Sequence, residues 1–224
     1  LRFSTINNIN DIDQIMRDLE YKSPLPLYIR ARQVCILPKM LKNIKTIKTT
    51  LPISSKINAV VNKIKSESKY IRKIIFCHYR AEIDILESLL TDYSITILDG
   101  RSNKKQRANA VQRPTADILN FTELITDKIN SFLTPDILIA QINSAAEGLN
   151  LQQFSQVYFT SPHWNPAIED QAVARVHRIG QEKQVKVFRF QMEPFNENDF
   201  TLENYCIYVQ NKKRELTNSF FKKS

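Results

Sequence analysis

Apolar residues along this chain gather in short runs, and the runs are set between stretches of helical period. Five runs read as strands: 73–77 (KIIFC), 94–98 (SITIL), 136–140 (DILIA), 156–160 (QVYFT) and 185–190 (VKVFRF). They are short and rich in β-branched and aromatic residues, as strands buried on both faces of a parallel sheet are. Between them, 55–67, 80–90, 104–112, 121–132 and 166–179 repeat apolar residues at helical spacing. Strand and helix in alternation predict right-handed βαβ units and a doubly wound, parallel α/β sheet flanked by helices. In such sheets ligands meet the carboxyl ends of the strands, so the residues just after each run are the first candidates for function. The two ends break the alternation. Residues 1–50 are punctuated by Pro24, Pro26 and Pro38 and read as an arm or linker; 51–195 hold the lobe; 196–224 carry a lone polar helix over 200–217. No internal repeat is present.

Composition narrows the chemistry. With 42% hydrophobic and 25% charged residues, the 224-residue chain can bury a core. No apolar run approaches the roughly 20 residues of a membrane span, so no membrane partner is expected. The chain opens on Leu1 without a secretory-signal pattern and is expected to be a piece of a longer protein. Three glycines, Gly100, Gly148 and Gly180, stand far apart and none precedes a lysine. That excludes both the G-x-x-x-x-G-K-[ST] phosphate loop and the G-x-G-x-x-G dinucleotide loop. Cys35, Cys77 and Cys206 lack C-x-x-C spacing, which argues against a disulfide framework or a zinc site; Cys77 is expected in the core, in a reducing compartment.

Charge points to a polyanion. Lys and Arg total 32 against 23 Asp and Glu, a net +9. Residues 37–73 carry ten Lys/Arg and one acid, Glu67, and 101–113 carry Arg101, Lys104, Lys105, Arg107 and Arg113 with none. Blocks of this kind mark a nucleic-acid footprint more than general solubility does.

The densest chemistry lies in 140–181. Asn165 suits an N-cap, Pro166 the first helical position, and Gly180 a helix end. At 100° per residue, Ile168, Ala172, Val176 and Ile179 form an apolar stripe, and Gln171, Arg175 and Arg178 a second one. Guanidiniums keep their charge and fork onto phosphate oxygens. A solvated basic face is the alternative for two arginines at this spacing, and the neighbouring letters decide between them.

GLNL at 148–151 and WNPAIEDQAVARVHRIGQ at 164–181 closely resemble motifs V and VI of the Swi/Snf-family ATPases in helicase superfamily two. SSKINAVVNKI at 54–64 resembles the helix before motif IV, KIIFCHYRAEIDILESLL at 73–90 motif IV itself, and LDGRSNKKQR at 98–107 the strand and loop that follow. TLENYCIYVQNKKREL at 201–216 is similar to the family's C-terminal bracing helix, and LYIRARQVCILPK at 27–39 is placed like its inter-lobe link.

This resemblance implies the second RecA-like lobe of a DNA-dependent ATPase and translocase. ATP and Mg²⁺ would be bound mainly by an N-terminal RecA-like lobe of the same protein, and this piece alone, expected to be monomeric, would be inactive. The resemblance makes Arg175 and Arg178 arginine fingers, has Gln171 order the ATP site and turns Gly148 toward the nucleotide cleft. It sets Tyr79, Arg80, Arg101, Asn143, Ser144 and Trp164 along double-stranded DNA, with His78 and His163 beside them. The bland readings are that Tyr79 caps a strand and that Trp164 is core. One departure stands out. The family usually has two glycines ahead of motif V's small residue, whereas Ser144-Ala145-Ala146-Glu147 precedes Gly148 here. Alanine does not adopt positive φ cheaply, so this loop is expected to be shaped differently. The rival readings are a non-hydrolysing DNA-binding scaffold and an RNA-directed superfamily-two lobe. The expected setting is intracellular: the nucleus or, for a viral parent, the virion or replication site.

Overall fold

The computed structural model describes residues 25–38, 40, 54–103, 136–145, 149–194 and 201–221. Among these, the helices are α1 (Leu25–Ile36), α2 (Ser55–Ser66), α3 (Arg80–Leu89), α4 (Ile142–Ala145), α5 (Pro166–Val176) and α6 (Leu202–Phe221). The strands are β1 (Lys73–Cys77), β2 (Ser94–Leu98), β3 (Asp136–Gln141), β4 (Gln156–Phe159) and β5 (Lys186–Arg189). The chain divides into two units. One comprises Ile57–Ser161 and Ala167–Phe190; the other comprises Leu1–Lys56, Pro162–Pro166 and Gln191–Ser224.

The first unit holds a five-stranded sheet in the order β2-β3-β1-β4-β5, every neighbouring pair parallel. It is the doubly wound, parallel α/β sheet that the alternating pattern predicts, and it accords with the RecA-like lobe that the resemblance implies. Every residue of the central strands β1 and β4 is buried, whereas β2 and β5 at the two sides keep exposed positions. Alternation along the strands divides the core. Ile74, Phe76, Leu138, Ala140, Val157 and Phe159 pack with Ala172 and Val176 of α5 on one face. On the other face Tyr158 stacks on Phe188 at 4.8 Å, and Lys63 of α2 lies 4.8 Å over the Phe188 ring. An ion pair ties α5 to the sheet: Nε of the exposed Arg189 donates to the buried Glu169 at 3.1 Å while its guanidinium covers Phe159.

The second unit is built on α1, α6 and the start of α2. Ser54 Oγ donates to the Ile36 carbonyl at 2.7 Å. Lys56 and Glu203, both buried, form an ion pair, and Glu203 also accepts from the Met192 amide at 2.7 Å. Helix α1 lies inside the segment expected only as an arm. The prolines that suggest an arm do not forbid a helix: Pro26 sits in the first helical turn, where a missing N–H costs nothing.

The strands and helices agree with the sequence pattern to within a residue or two, except that α6 runs four residues past the expected 217 and that one further difference bears on the site. The helix expected over 166–179 ends at Val176. The helices expected over 104–112 and 121–132 lie outside the described residues.

Candidate functional site

Because the sheet is parallel, the segments that leave β1, β2 and β3 share one edge. His78, Tyr79 and Arg80 follow β1, Arg101 follows β2, and Asn143 and Ser144 lie in α4 directly after β3. β1 sends the chain toward β2 on one side, and β4 sends it toward β5 on the other. The switch point of the sheet therefore lies between β1 and β4. Two side chains span it. His78 Nε2 bonds the Ser161 carbonyl at 2.8 Å. Glu82, completely buried, accepts from Thr160 Oγ1 at 2.6 Å and from the His78 and Tyr79 amides at 3.1 and 2.7 Å. Gln141 Nε2 adds a bond to the His78 carbonyl at 3.3 Å.

Glu82 is the residue that sequence reasoning passed over. It stands three positions after Tyr79, the N-cap of α3, and its carboxylate takes amides the helix would otherwise leave orphaned. That Y-x-x-E spacing was the available signal. Tyr79 thus stands at the N-cap position of α3, not as the cap of a strand that its bland reading made it. Cys77 beside it is a core thiol, pushed well above its ordinary range by burial and next by the Glu82 charge, so it is a poor nucleophile.

The two edge arginines differ. Arg80 is exposed and only loosely paired with Asp84, at 3.9 Å. Arg101 is folded back on Asp99, with bonds of 3.0 and 2.5 Å to one carboxylate oxygen and the Arg101 amide at 3.0 Å from the other. Asn143 is exposed and Ser144 half-buried. Gly148 and the departing residues Ala146 and Glu147 lie outside the described residues.

Helix α5 presents Gln171, exposed, and Arg175, half-buried, as expected. The rest of that stripe needs correction. The last helical bond donates the His177 amide to Val173 at 2.8 Å, and a separate turn follows, closed by the Gln181 amide on Arg178 at 2.9 Å. Gly180 sits third in that turn at φ 95°, so it serves the turn and does not end the helix. Ile179, expected on the apolar stripe, is 98% exposed. Arg178 rides on the turn, off the helical face. Arg178 and Arg175 nevertheless share a property. Neither guanidinium has a hydrogen-bond or ion-pair partner among the described residues, although both backbone carbonyls accept bonds.

Trp164 belongs to the other unit, where the segment after β4 is held by one face of α6. Cys206 Sγ, Gln210 Nε2 and Lys213 Nζ donate in turn to the carbonyls of Pro162, His163 and Trp164, at 3.8 Å for the first and 3.1 Å for the last. Arg32 of α1 adds a second bond to the Pro162 carbonyl at 2.5 Å. The Trp164 ring stands edge-on to Tyr205, centroids 6.1 Å apart, and is half-buried.

Residues 55–180 match the profile of the helicase conserved C-terminal domain, more than half of the chain. The chain belongs to the helicase C-terminal domain family. Relatives carry the assignment into its Swi/Snf-type branch, as motifs V and VI implied. A putative SWI/SNF-related matrix-associated actin-dependent regulator of chromatin from Arabidopsis thaliana is 33% identical over 76% of this chain and 18% of its own length. DNA repair protein RAD5 of Candida albicans is 32% identical over 73% of this chain and 14% of its own. Human helicase-like transcription factor is 29% identical over 75% and 15%. The helicase C-terminal chain thus spans less than a fifth of the length of these relatives. A solved structure, the C-terminal part of the Fun30 ATPase domain, aligns with 92% of this chain and 67% of its own at 21% identity and a TM-score of 0.47. The parallel strand order itself defines the fold.

Proposed function

We propose that this helicase C-terminal lobe works as the second lobe of a Swi/Snf-type translocase that hydrolyses ATP, with Mg²⁺, and moves on double-stranded DNA. A preceding RecA-like lobe of the same protein holds most of the nucleotide, because this chain has no phosphate loop. Arg175 and Arg178 are its arginine fingers, Gln171 orders them and Gly148 faces the cleft. Tyr79, Arg80, Arg101, Asn143, Ser144 and Trp164 meet the DNA backbone, which positions the protein without reading sequence. A nuclear setting accords with relatives named for chromatin regulation and DNA repair, and those relatives lend a viral setting no support.

The observation that carries this reading is that the guanidiniums of Arg175 and Arg178 have no partner among the described residues. Those of Arg30, Arg32, Arg101 and Arg189, by contrast, each bond a neighbouring oxygen. Charge spreads over phosphoryl oxygens during transfer, and a guanidinium supplied from across an interface stabilises it by about 10³–10⁵ in rate in other nucleotidases. The test uses the complete protein with Arg175→Ala and Arg178→Ala, measuring ATP turnover at saturating duplex DNA and DNA affinity by anisotropy. Each variant should lose more than about tenfold in kcat, or about 1.4 kcal/mol, with DNA affinity nearly unchanged. The chain alone should turn over no ATP. If Arg178→Ala keeps more than about a tenth of kcat, the residue is not a finger and the scaffold reading returns.

A further inference from the structure

The turn that carries Arg178 is locked by two glutamines. Gln181 closes it, and Gln181 Nε2 points back under it, donating to the carbonyls of Gln152 at 2.8 Å, Phe154 at 3.0 Å and Val176 at 3.2 Å. Its Oε1 accepts from the Lys183 amide at 3.0 Å. Gln152 reaches the turn from the opposite direction: its Nε2 donates to the Ile179 carbonyl, and its side-chain amide stands 3.7 Å from where a Cβ on Gly180 would be. Gln152 is itself steadied by the Asn150 side chain, whose Oδ1 accepts the Gln152 amide at 3.3 Å. The segment 150–154 that receives these bonds is also fixed by the Leu151 amide on the Arg175 carbonyl at 3.1 Å. One short segment therefore ties down both the end of α5, which carries Arg175, and the turn that carries Arg178.

Neither glutamine is consumed by packing. Gln181 and Gln152 are both half-buried, in a turn whose apolar residue, Ile179, faces away from the protein. A turn held by its hydrophobic side chain would bury Ile179. This one is held by amides alone, and amide bonds fix direction where apolar contact fixes only proximity.

We propose that Gln181 and Gln152 are positioning residues that fix the Arg178 turn in the geometry from which its guanidinium meets the phosphoryl group. The proposal rests on the finger reading above. A finger contributes only when its charge is in place as the phosphoryl charge develops, and a misplacement of about 1 Å costs on the order of 10² in rate. Loss of the latch therefore acts on kcat and leaves the binding of ATP and DNA nearly as it was.

The donor chemistry supplies a sharp test. Gln181→Glu keeps the shape but replaces the donor with an acceptor facing three carbonyls. Gln181→Lys restores N–H donors to the same carbonyls. In the complete protein, Gln181→Glu should lower kcat by about tenfold or more, with KM for ATP and the affinity for duplex DNA within about twofold. Gln181→Lys should recover most of that loss, and Gln152→Glu should give a smaller fall of the same kind. Hydrogen exchange on the chain itself gives a second readout, since the Gln181 amide should lose protection in both Glu variants while those of β1 and β4 keep theirs. Should Gln181→Glu fail to fold, Gln152→Glu and Gln181→Lys carry the test. Arg178→Ala run in parallel separates the two ideas. If it retains activity, the finger reading itself is wrong. If it loses activity while Gln181→Glu and Gln152→Glu keep wild-type kcat, or if Gln181→Lys falls as far as Gln181→Glu, the latch has no positioning role.

Discussion

Lys73 is a charge taken out of water without a carboxylate to meet it. It is completely buried at the start of β1, and its Nζ donates to the carbonyls of Ser68 at 2.6 Å and Ile71 at 2.8 Å. Burial disfavours the ammonium and lowers its pKa to about 8, with Glu67 opposing. The unfolded chain keeps that proton to about pH 10.5 while the folded chain releases it near 8, so stability rises with pH between those values. The slope approaches about 1.4 kcal/mol per pH unit. The thiols of Cys77 and Cys35 and the phenol of Tyr158, all raised chiefly by burial, pull the other way at higher pH, because the folded state retains protons the unfolded state has lost. Urea unfolding of wild type and Lys73→Met at about pH 7.5, 8.5 and 9.5 isolates the lysine, since the opposing groups are common to both. The difference in stability should shift toward wild type as pH rises; a difference constant over that range means the lysine stays charged in the fold. Neither this lysine nor the Arg178 turn was legible in the sequence. Lys73 sits in an apolar run and reads as its polar border. Ile168, Ala172, Val176 and Ile179 keep helical spacing, yet the Gln181 side chain captures the Val176 carbonyl and diverts the chain one turn early.

At the scale of elements, β1 and β2 have the bounds their letters predict: β1 is buried throughout, and β2, at the side of the sheet, alternates exposed polar with more buried apolar residues. What the pattern does not carry is which element serves which. Helix α6 reads as a lone polar helix, yet its polar face is specifically engaged. Cys206, Gln210 and Lys213, at positions i, i+4 and i+7, address three consecutive carbonyls around Trp164. An extended segment with unmet carbonyls has no reason to hold a tryptophan in one place; three donors on a rigid helix supply that reason. If Trp164 contacts DNA, the ladder decides how well it is presented. In the complete protein, Gln210→Ala combined with Lys213→Met should weaken duplex binding several-fold, or about 1 kcal/mol, and Trp164→Ala should weaken it by at least as much. Adding the double change to Trp164→Ala should cost little more, because both act on the same contact. Full additivity in an anisotropy titration would separate the helix from the tryptophan and leave α6 a purely structural brace.

For the whole molecule the governing quantity is charge and how much of it is already spent internally. A net charge of +9 attracts DNA, but an arginine neutralised by its own carboxylate releases few counterions when it meets a phosphate. The edge of the sheet carries one arginine of each kind. Arg80 is exposed and nearly free of Asp84 at 3.9 Å; Arg101 is clasped by Asp99, a carboxylate that is itself largely buried. Duplex affinity of the chain should therefore fall steeply with salt and show no sequence preference, with a log–log slope of about −0.9 for each phosphate neutralised. Arg80→Ala should flatten that slope by about 1. Arg101→Ala should flatten it much less, yet should weaken binding at every salt concentration, because it strips Asp99 of its cation and leaves a bare carboxylate on the edge proposed to meet DNA. Anisotropy titrations of the three proteins on two unrelated duplexes, each across a salt series, read all of these quantities at once. Equal flattening by the two variants would mean that DNA pulls Arg101 away from Asp99 on binding. An affinity indifferent to salt would mean that the basic edge is not where the duplex lies.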